Sequence, residues 1–244
     1  MIDIHSHVLY GMDDGAKTIE ESVALCMDAR KNGISILTCT PHFADYDYIY
    51  EFVNKRDSHL AKLKETLKEK NIDIKLATGA ELFLSDQIFD APNLDDLTLN
   101  YSRYMLCEFP MGEFDTTRGL MWIDELIDRG YYPIVAHPER YLEFHKNKAI
   151  IRELLKKRVL FQVNFNSLAG LNTDEVLNFA VSLIREHIAL FIATDAHNLD
   201  NRHTRIKERI PAIPQSITAE HIRNCMLKYP KIILSDENIF DYVK

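Results

Sequence analysis

Side chains able to bind metal ions recur along this chain, and nearly all of them stand where an apolar run stops. The sequence opens MIDIHSH, so His5 and His7 share one face of a short extended segment. His42 follows ILTCTP, Glu81 follows KLATGA, Glu108 follows YMLC, His137 follows PIVA, and Asp195 and His197 close and follow LFIAT. Asp14, in the turn Asp13-Asp14-Gly15, joins the set. Imidazole and carboxylate donors without thiolate, and in such number, do not describe one tetrahedral structural zinc. They suit two or three divalent ions, because a carboxylate can bridge neighbouring cations. Such clusters favour hydrolysis of phosphate esters: one ion lowers the pKa of a water, and the others take up charge from the phosphoryl and leaving oxygens.

Taken singly, each residue has an ordinary explanation. A histidine at a strand end is commonly structural, and Asp14 suits a plain turn. Glu81 and Glu108 are harder to explain away, since a carboxylate after an apolar run is rarely buried without a partner. The repetition of the pattern favours a shared site. His59, His145, His187, His203 and His221 do not end apolar runs and read as surface or structural residues. Arg140 and Arg202 lie beside the candidate ligands, where a guanidinium can grip phosphate oxygens in bidentate fashion. Residues 42–52, HFADYDYIYEF, are rich in aromatic side chains that could wall a pocket or simply pack.

Residues so far apart in sequence need a scaffold that gathers them. Strand-like and helix-like patterns alternate: strands at 2–7, 34–40, 72–79, 104–109, 132–136, 159–164 and 188–194, with helices at 18–32, 52–70, 116–129, 147–157 and 173–186. Thr18 and Glu21 form a capping-box pattern, Gly33 and Gly130 supply helix stops, and Pro41 ends the second strand. A helix and an apolar closing segment are expected over 217–244. Strands separated by helices imply parallel pairing. About seven such units point to an α/β fold, a complete or distorted TIM-like (β/α)7 barrel. In such a barrel the carboxyl ends of all strands meet on one face.

The chain has 244 residues and a net charge of −8. Its length suits a single domain over residues 1–244, with no linker or repeat dividing it. The acidic balance disfavours a general nucleic-acid binder. The basic stretch 140–158 reads as a solvated helix face. Cys26, Cys39, Cys107 and Cys225 are scattered without CxxC spacing, which argues against a disulfide framework or zinc ribbon. Asp3 and His5 interrupt any apolar leader, and no apolar run approaches the length of a membrane span. A cytoplasmic protein without direct membrane insertion is expected, and an oligomer remains open.

The motifs MIDIHSH, DDG, TPH, GAE, EFP, AHPER and ATDAHN, in this order along nearly the whole chain, resemble the polymerase and histidinol phosphatase (PHP) superfamily. AHPER with QVNFNSLAG and DAHNxxNR is similar to a narrower branch, the bacterial manganese-dependent protein-tyrosine phosphatases of capsule and exopolysaccharide loci. The resemblance implies a distorted (β/α)7 barrel. It also implies two or three divalent ions, Mn2+ foremost, with iron or zinc as alternatives. One ion would be held by His5, His7, Glu81 and Asp195, a second by Glu81, Glu108 and His137, and a third by Asp14, His42 and His197. Arg140 and Arg202 match the branch's phosphate-gripping arginines. The implied substrate is the phosphotyrosine tail of a membrane-associated bacterial tyrosine kinase. Many relatives carry a second histidine after TPH, where this chain has Phe43. A small-molecule phosphatase of the histidinol-phosphatase type is the alternative enzyme; a nuclease or a phosphotyrosine-binding scaffold are further rivals.

Overall fold

The computed structural model describes residues 1–243. Its strands are β1 (Ile2–Asp3), β2 (Ile36–Cys39), β3 (His42–Phe43), β4 (Lys75–Thr78), β5 (Glu81–Phe83), β6 (Tyr104–Glu108), β7 (Tyr132–Ala136), β8 (Leu160–Asn164) and β9 (Phe191–Ala193). All pairings between them are parallel, in two sheets ordered β1-β2-β4 and β3-β5-β6-β7-β8-β9. The α/β class with parallel sheets is therefore present, but the strands do not form one continuous closed ladder as expected. The expected second and third strands each stop and resume: β2 passes into β3 across Thr40-Pro41, and β4 into β5 across Gly79-Ala80. Pro41 has no N–H to give to a ladder. Backbone bonds still span the breaks, with Thr40 N donating to Ser6 O (2.8 Å) and Glu81 N to Pro41 O (3.1 Å). Beyond β1 and β9 a single bridge joins Ser6 to Ala196, flanked by His7 N to Ala196 O at 2.8 Å and Asp195 N to His5 O at 2.9 Å.

Helices separate most of the strands. α1 (Ile19–Lys31) is capped by Thr18, whose hydroxyl accepts from Glu21 N at 3.2 Å. The reciprocal half of the expected capping box is missing, because Glu21 turns to Lys17 N. Gly33, at φ +88°, takes the left-handed conformation that ends the helix. α2 (Ile49–Glu69) and α3 (Thr116–Asp128) follow as expected, α3 capped by Asp115. The expected helix at 147–157 is α5 (Ala149–Lys156), preceded by a short α4 (Leu142–Lys146). Lys146, Lys156 and Lys157 there make half-exposed or exposed ion pairs with Glu113, Glu143, Glu153 and Asp124, as a solvated face should. α6 (Phe165–Leu168) and α7 (Asp174–Arg185) flank β8 and β9. The tail contributes α8 (Ile206–Arg209), α9 (Ala219–Arg223), a π-helical turn (Asn224–Lys228) and α10 (Tyr229–Leu234).

Packing divides into two regions. Leu25, Ile34, Leu37, Leu63, Ile123, Leu154, Leu183 and their neighbours bury the helices against the outer faces of the strands. A second cluster gathers Ile2 and Ile4 with Tyr104, Leu106, Ile134, Leu160 and Phe191, and Tyr229, Ile232, Ile233 and Ile239 of the tail close it. All four cysteines are buried and unpaired. Among the described residues no helix is long and apolar enough to cross a membrane.

Candidate metal centre

The strand ends opposite that tail converge on a buried polar pit. His5 and His7, just beyond β1, bring their Nε2 atoms to 3.1 Å from one another. The Glu81 carboxylate, at the first residue of β5, stands between them and the next histidine. Its Oε2 lies 3.1 Å from His5 Nε2, 3.2 Å from His7 Nε2 and 3.1 Å from His42 Nδ1. Its Oε1 faces His137 Nε2 at 2.9 Å. Glu108, at the end of β6, is 3.1 Å from His42 Nδ1 and 3.7 Å from His137 Nε2. Asp195 Oδ1 lies 3.5 and 3.4 Å from His5 and His7, and Asp14 Oδ1 lies 3.2 Å from His197 Nε2 and 3.6 Å from His42 Nε2. All nine candidate ligands thus meet in one place, although they reach it from seven separate segments of chain.

Local chemistry explains several of these placements. Gly15 is required where it stands, because a Cβ there would sit 2.0 Å from His7 O. The DDG turn can therefore fold directly onto the His7 backbone and deliver both of its aspartates. His137 and Asp195 follow β7 and β9 in the left-handed conformation, at φ +36° and +52°. For residues other than glycine this costs of order 1–3 kcal/mol, a strain that gathers at functional sites. Arg202 Nη2 donates to both Asp195 oxygens at 2.9 Å, while Arg140 Nη1 stays 3.6 Å from Asp195 Oδ2. Both guanidinium groups remain about a third exposed, at 34% for Arg202 and 35% for Arg140, at the edge of the pit. A cavity of about 380 Å3 opens beside Asp14 and His197 and is lined also by Lys17, Asn198 and Leu199.

The electrostatics are those of a cluster built around positive charge. Burial alone would lower His42, but Glu108 and Glu81 outweigh it and carry it up to about 10. Burial would raise Asp13, yet its bond to His7 holds it down at about 2. His197, buried and facing His7, is pushed down to about 3. Glu81 and Asp195 lie well below the usual carboxylate range despite burial, held there first by His5.

These residues fit divalent cations better than they fit one another. Glu81 Oε2 has three imidazole nitrogens within 3.2 Å but no hydrogen bond of acceptable geometry to any of them. His197 Nε2 is also buried without a hydrogen bond. Atoms that crowd together without an aligned proton between them could share a cation. By proximity, the donors form three groups whose atoms lie within 4.8 Å of one another: His5, His7 and Glu81; His42, Glu81 and Glu108; and His7, Asp14, His42 and His197. His42 thus stands beside Glu81 and Glu108 together with His137, whose Nε2 lies 2.9 Å from Glu81 Oε1 and 3.7 Å from Glu108 Oε2.

Sequence reasoning missed three participants. Asp13, rather than the 63%-exposed Asp14, is the buried member of the DDG turn, accepting from His42 N and pairing with His7 Nδ1 at 2.6 Å. Gln162 and Asn164 of β8 reach the pit through hydrogen bonds. Their signal was present as two polar residues at period two inside LFQVN, a strand that is otherwise apolar. Phe43 does not face the pit; it is buried against Tyr46 and Phe52. Of the aromatic segment, Tyr46 packs inward and donates to Phe83 O, whereas Tyr48 and Tyr50 stay exposed. The five histidines set aside stay outside the pit. His203, the most buried, accepts from Arg205 N, and His59 stacks on Tyr10.

The chain is 32% identical to CapC of Staphylococcus aureus over 240 residues, covering 98% of this chain and 93% of that protein. It is 28% identical to the tyrosine-protein phosphatase YwqE of Bacillus subtilis (strain 168), covering 98% and 94%. A chain from the crystal structures of YwqE of Bacillus subtilis and CpsB of Streptococcus pneumoniae, described as unique metal-dependent tyrosine phosphatases, superposes with a TM-score of 0.82. It is 25% identical, and the match covers 98% of this chain and 96% of that one. The profile of the capsular polysaccharide synthesis family CpsB/CapC matches residues 1–235, and this chain belongs to that family.

Proposed function

We infer that this protein is a metal-dependent protein-tyrosine phosphatase of capsular or exopolysaccharide synthesis. The observation that carries the reading is the Glu81 carboxylate, ringed by His5, His7 and His42 without a satisfying proton. Kinship with YwqE, named a tyrosine-protein phosphatase, supports it.

His5, His7, Glu81 and Asp195 would hold one ion, Glu81 and Glu108 with His137 or His42 a second, and Asp14, His42 and His197 a third. Bound there, divalent ions would lower the pKa of a water toward neutrality and draw charge from phosphoryl oxygens. Nitrogen and oxygen donors admit Mn2+, iron or zinc, with Mn2+ the expected ion. Arg140 and Arg202, aimed at the same pit, grip the equatorial oxygens where charge grows during in-line displacement. The departing phenolate has an ordinary pKa near ~10, so no strong general acid is needed. The buried cysteines take no part. The two sheets act as a distorted (β/α)7 barrel forming one phosphatase domain, a reading supported by the Ser6–Ala196 bridge. The substrate is the tyrosine-rich tail of a membrane-associated bacterial kinase, met from the cytoplasm.

The test is release of inorganic phosphate from phosphotyrosyl peptides by purified protein with Mn2+, with metal content measured on the same sample. Turnover that depends on bound metal and is abolished by chelator is expected. Rapid hydrolysis of histidinol phosphate with none of the peptide would replace this reading by the small-molecule alternative.

A further inference from the structure

β8 sends no charged side chain to the pit, yet Gln162 and Asn164 on its inner face are both buried there. His5 Nδ1 lies 2.7 Å from Gln162 Oε1, Gln162 Nε2 donates to Asn164 Oδ1 at 2.9 Å, and Asn164 Nδ2 donates to Asp195 Oδ2 at 2.8 Å. The chain of bonds is further pinned by Asn164 N, which donates to Glu139 Oε1 at 3.0 Å.

We propose that Gln162 and Asn164 are a positioning relay that fixes the proton of His5 on Nδ1 and the rotation of Asp195, presenting His5 Nε2 and Asp195 Oδ1 bare to a shared cation. The proposal rests on reading the pit as a metal centre. The direction of the relay follows from its end. An amide alone can face either way, but an ionised carboxylate only accepts. Both Asp195 oxygens accept from Arg202 Nη2 at 2.9 Å, the bidentate contact of a carboxylate that carries no proton to donate. Asn164 must therefore offer Asp195 its NH2 and turn its oxygen to Gln162. Gln162 must offer its NH2 in turn and leave its oxygen for His5. Only the Nδ1–H form of His5 then completes the chain. On the other side of the pit Asp13 imposes the same pattern on His7 through Nδ1, at 2.6 Å. Two lone pairs consequently face each other across the 3.1 Å between His5 Nε2 and His7 Nε2. A carboxylate at position 162 would accept at both ends and pass no direction on; the neutral amide links two donors of one cation without adding charge. Outer partners of this kind typically change metal affinity by about 10–100-fold.

The experiment combines long-range proton–nitrogen NMR of the histidine rings with Mn2+ titration of the full chain. Metal-free wild-type protein, observed above the titration of His5, should show His5 as Nδ1–H. Gln162→Glu, which still accepts from His5, should keep that form; Gln162→Leu should lose it and bind Mn2+ about 10–100-fold more weakly. An Nε2–H ring in the wild type, or Mn2+ affinity in Gln162→Leu equal to the wild type, overturns the relay. Should Gln162→Leu fail to fold, the wild-type spectrum decides. Failure of wild-type protein to bind Mn2+ would instead sink the metal reading of the pit, and the ring spectrum would still judge the relay.

Discussion

The two ends of the same strands are built on opposite rules. β6 begins with Tyr104, whose hydroxyl donates to Glu237 O and accepts from Ile239 N, and it ends with Glu108 facing two imidazoles. The first segment runs from Ile2 and Ile4, in the apolar cluster, to His5 and His7 in the pit. At the base the tail seals the strands with aliphatic side chains, and the polar atoms find backbone partners. Even the cavity of about 440 Å3 there, lined by Arg158, His187, Tyr229 and Tyr242 among apolar residues, has no carboxylate side chain among its described lining residues. At the mouth, Glu81 Oε2, His137 Nδ1, Glu139 Oε2 and His197 Nε2 are buried without hydrogen-bond partners. The base specifies the fold and the mouth draws on the stability it provides, in keeping with local rules being broken at functional sites.

Substitutions at the two ends should therefore separate stability from activity. Glu81→Gln, which removes the one carboxylate common to two of the ligand groups, should lower kcat/KM by about 10³-fold, at the upper scale of a lost electrostatic contact. Thermal unfolding of the same variant should still be a single cooperative transition; retained turnover would break the comparison. Ile233→Ala at the base should do the reverse. Loss of a fully buried side chain there should cost about 2–5 kcal/mol of stability, measured by denaturant unfolding, while kcat/KM below the transition stays near wild type. Arg140→Ala and His42→Ala should each cut turnover about 10²-fold with the fold intact, and near-normal rates in both would remove them from the machinery. The smallest effect belongs to the thiols. Burial pushes Cys39 and Cys225 up to about 12 and raises Cys26 and Cys107, so iodoacetamide at neutral pH should leave phosphatase activity unchanged. Inactivation blocked by a substrate analogue would implicate a cysteine after all.

What could be read from residues alone follows the same division. Strand and helix positions were legible because periodicity reports burial on each element, and the ligand candidates were legible because ionisable groups at the ends of apolar runs are improbable without a purpose. The interruption of the sheets was not, since Pro41 signals a stop but says nothing of the resumption at His42 and Phe43. Asp13 and Asp14 are chemically identical neighbours, and only the fold of Gly15 onto His7 decides which is buried. Gln162 and Asn164 were hidden because neutral amides carry no charge signature and their importance lies in whom they touch. The π-helical turn in the tail buries Cys225 and Met226 and runs up to Pro230, which has no N–H to continue an α-helical ladder.

The left-handed backbone at His137 and Asp195 has a consequence for anyone engineering this enzyme. A search for tense peptide units to relax would include these two positions among the eight non-glycine residues at positive φ in the described chain. Glycine there would ease the chain and delete the side chain for which the tension is maintained, so greater heat resistance and faster turnover must be sought elsewhere in the molecule.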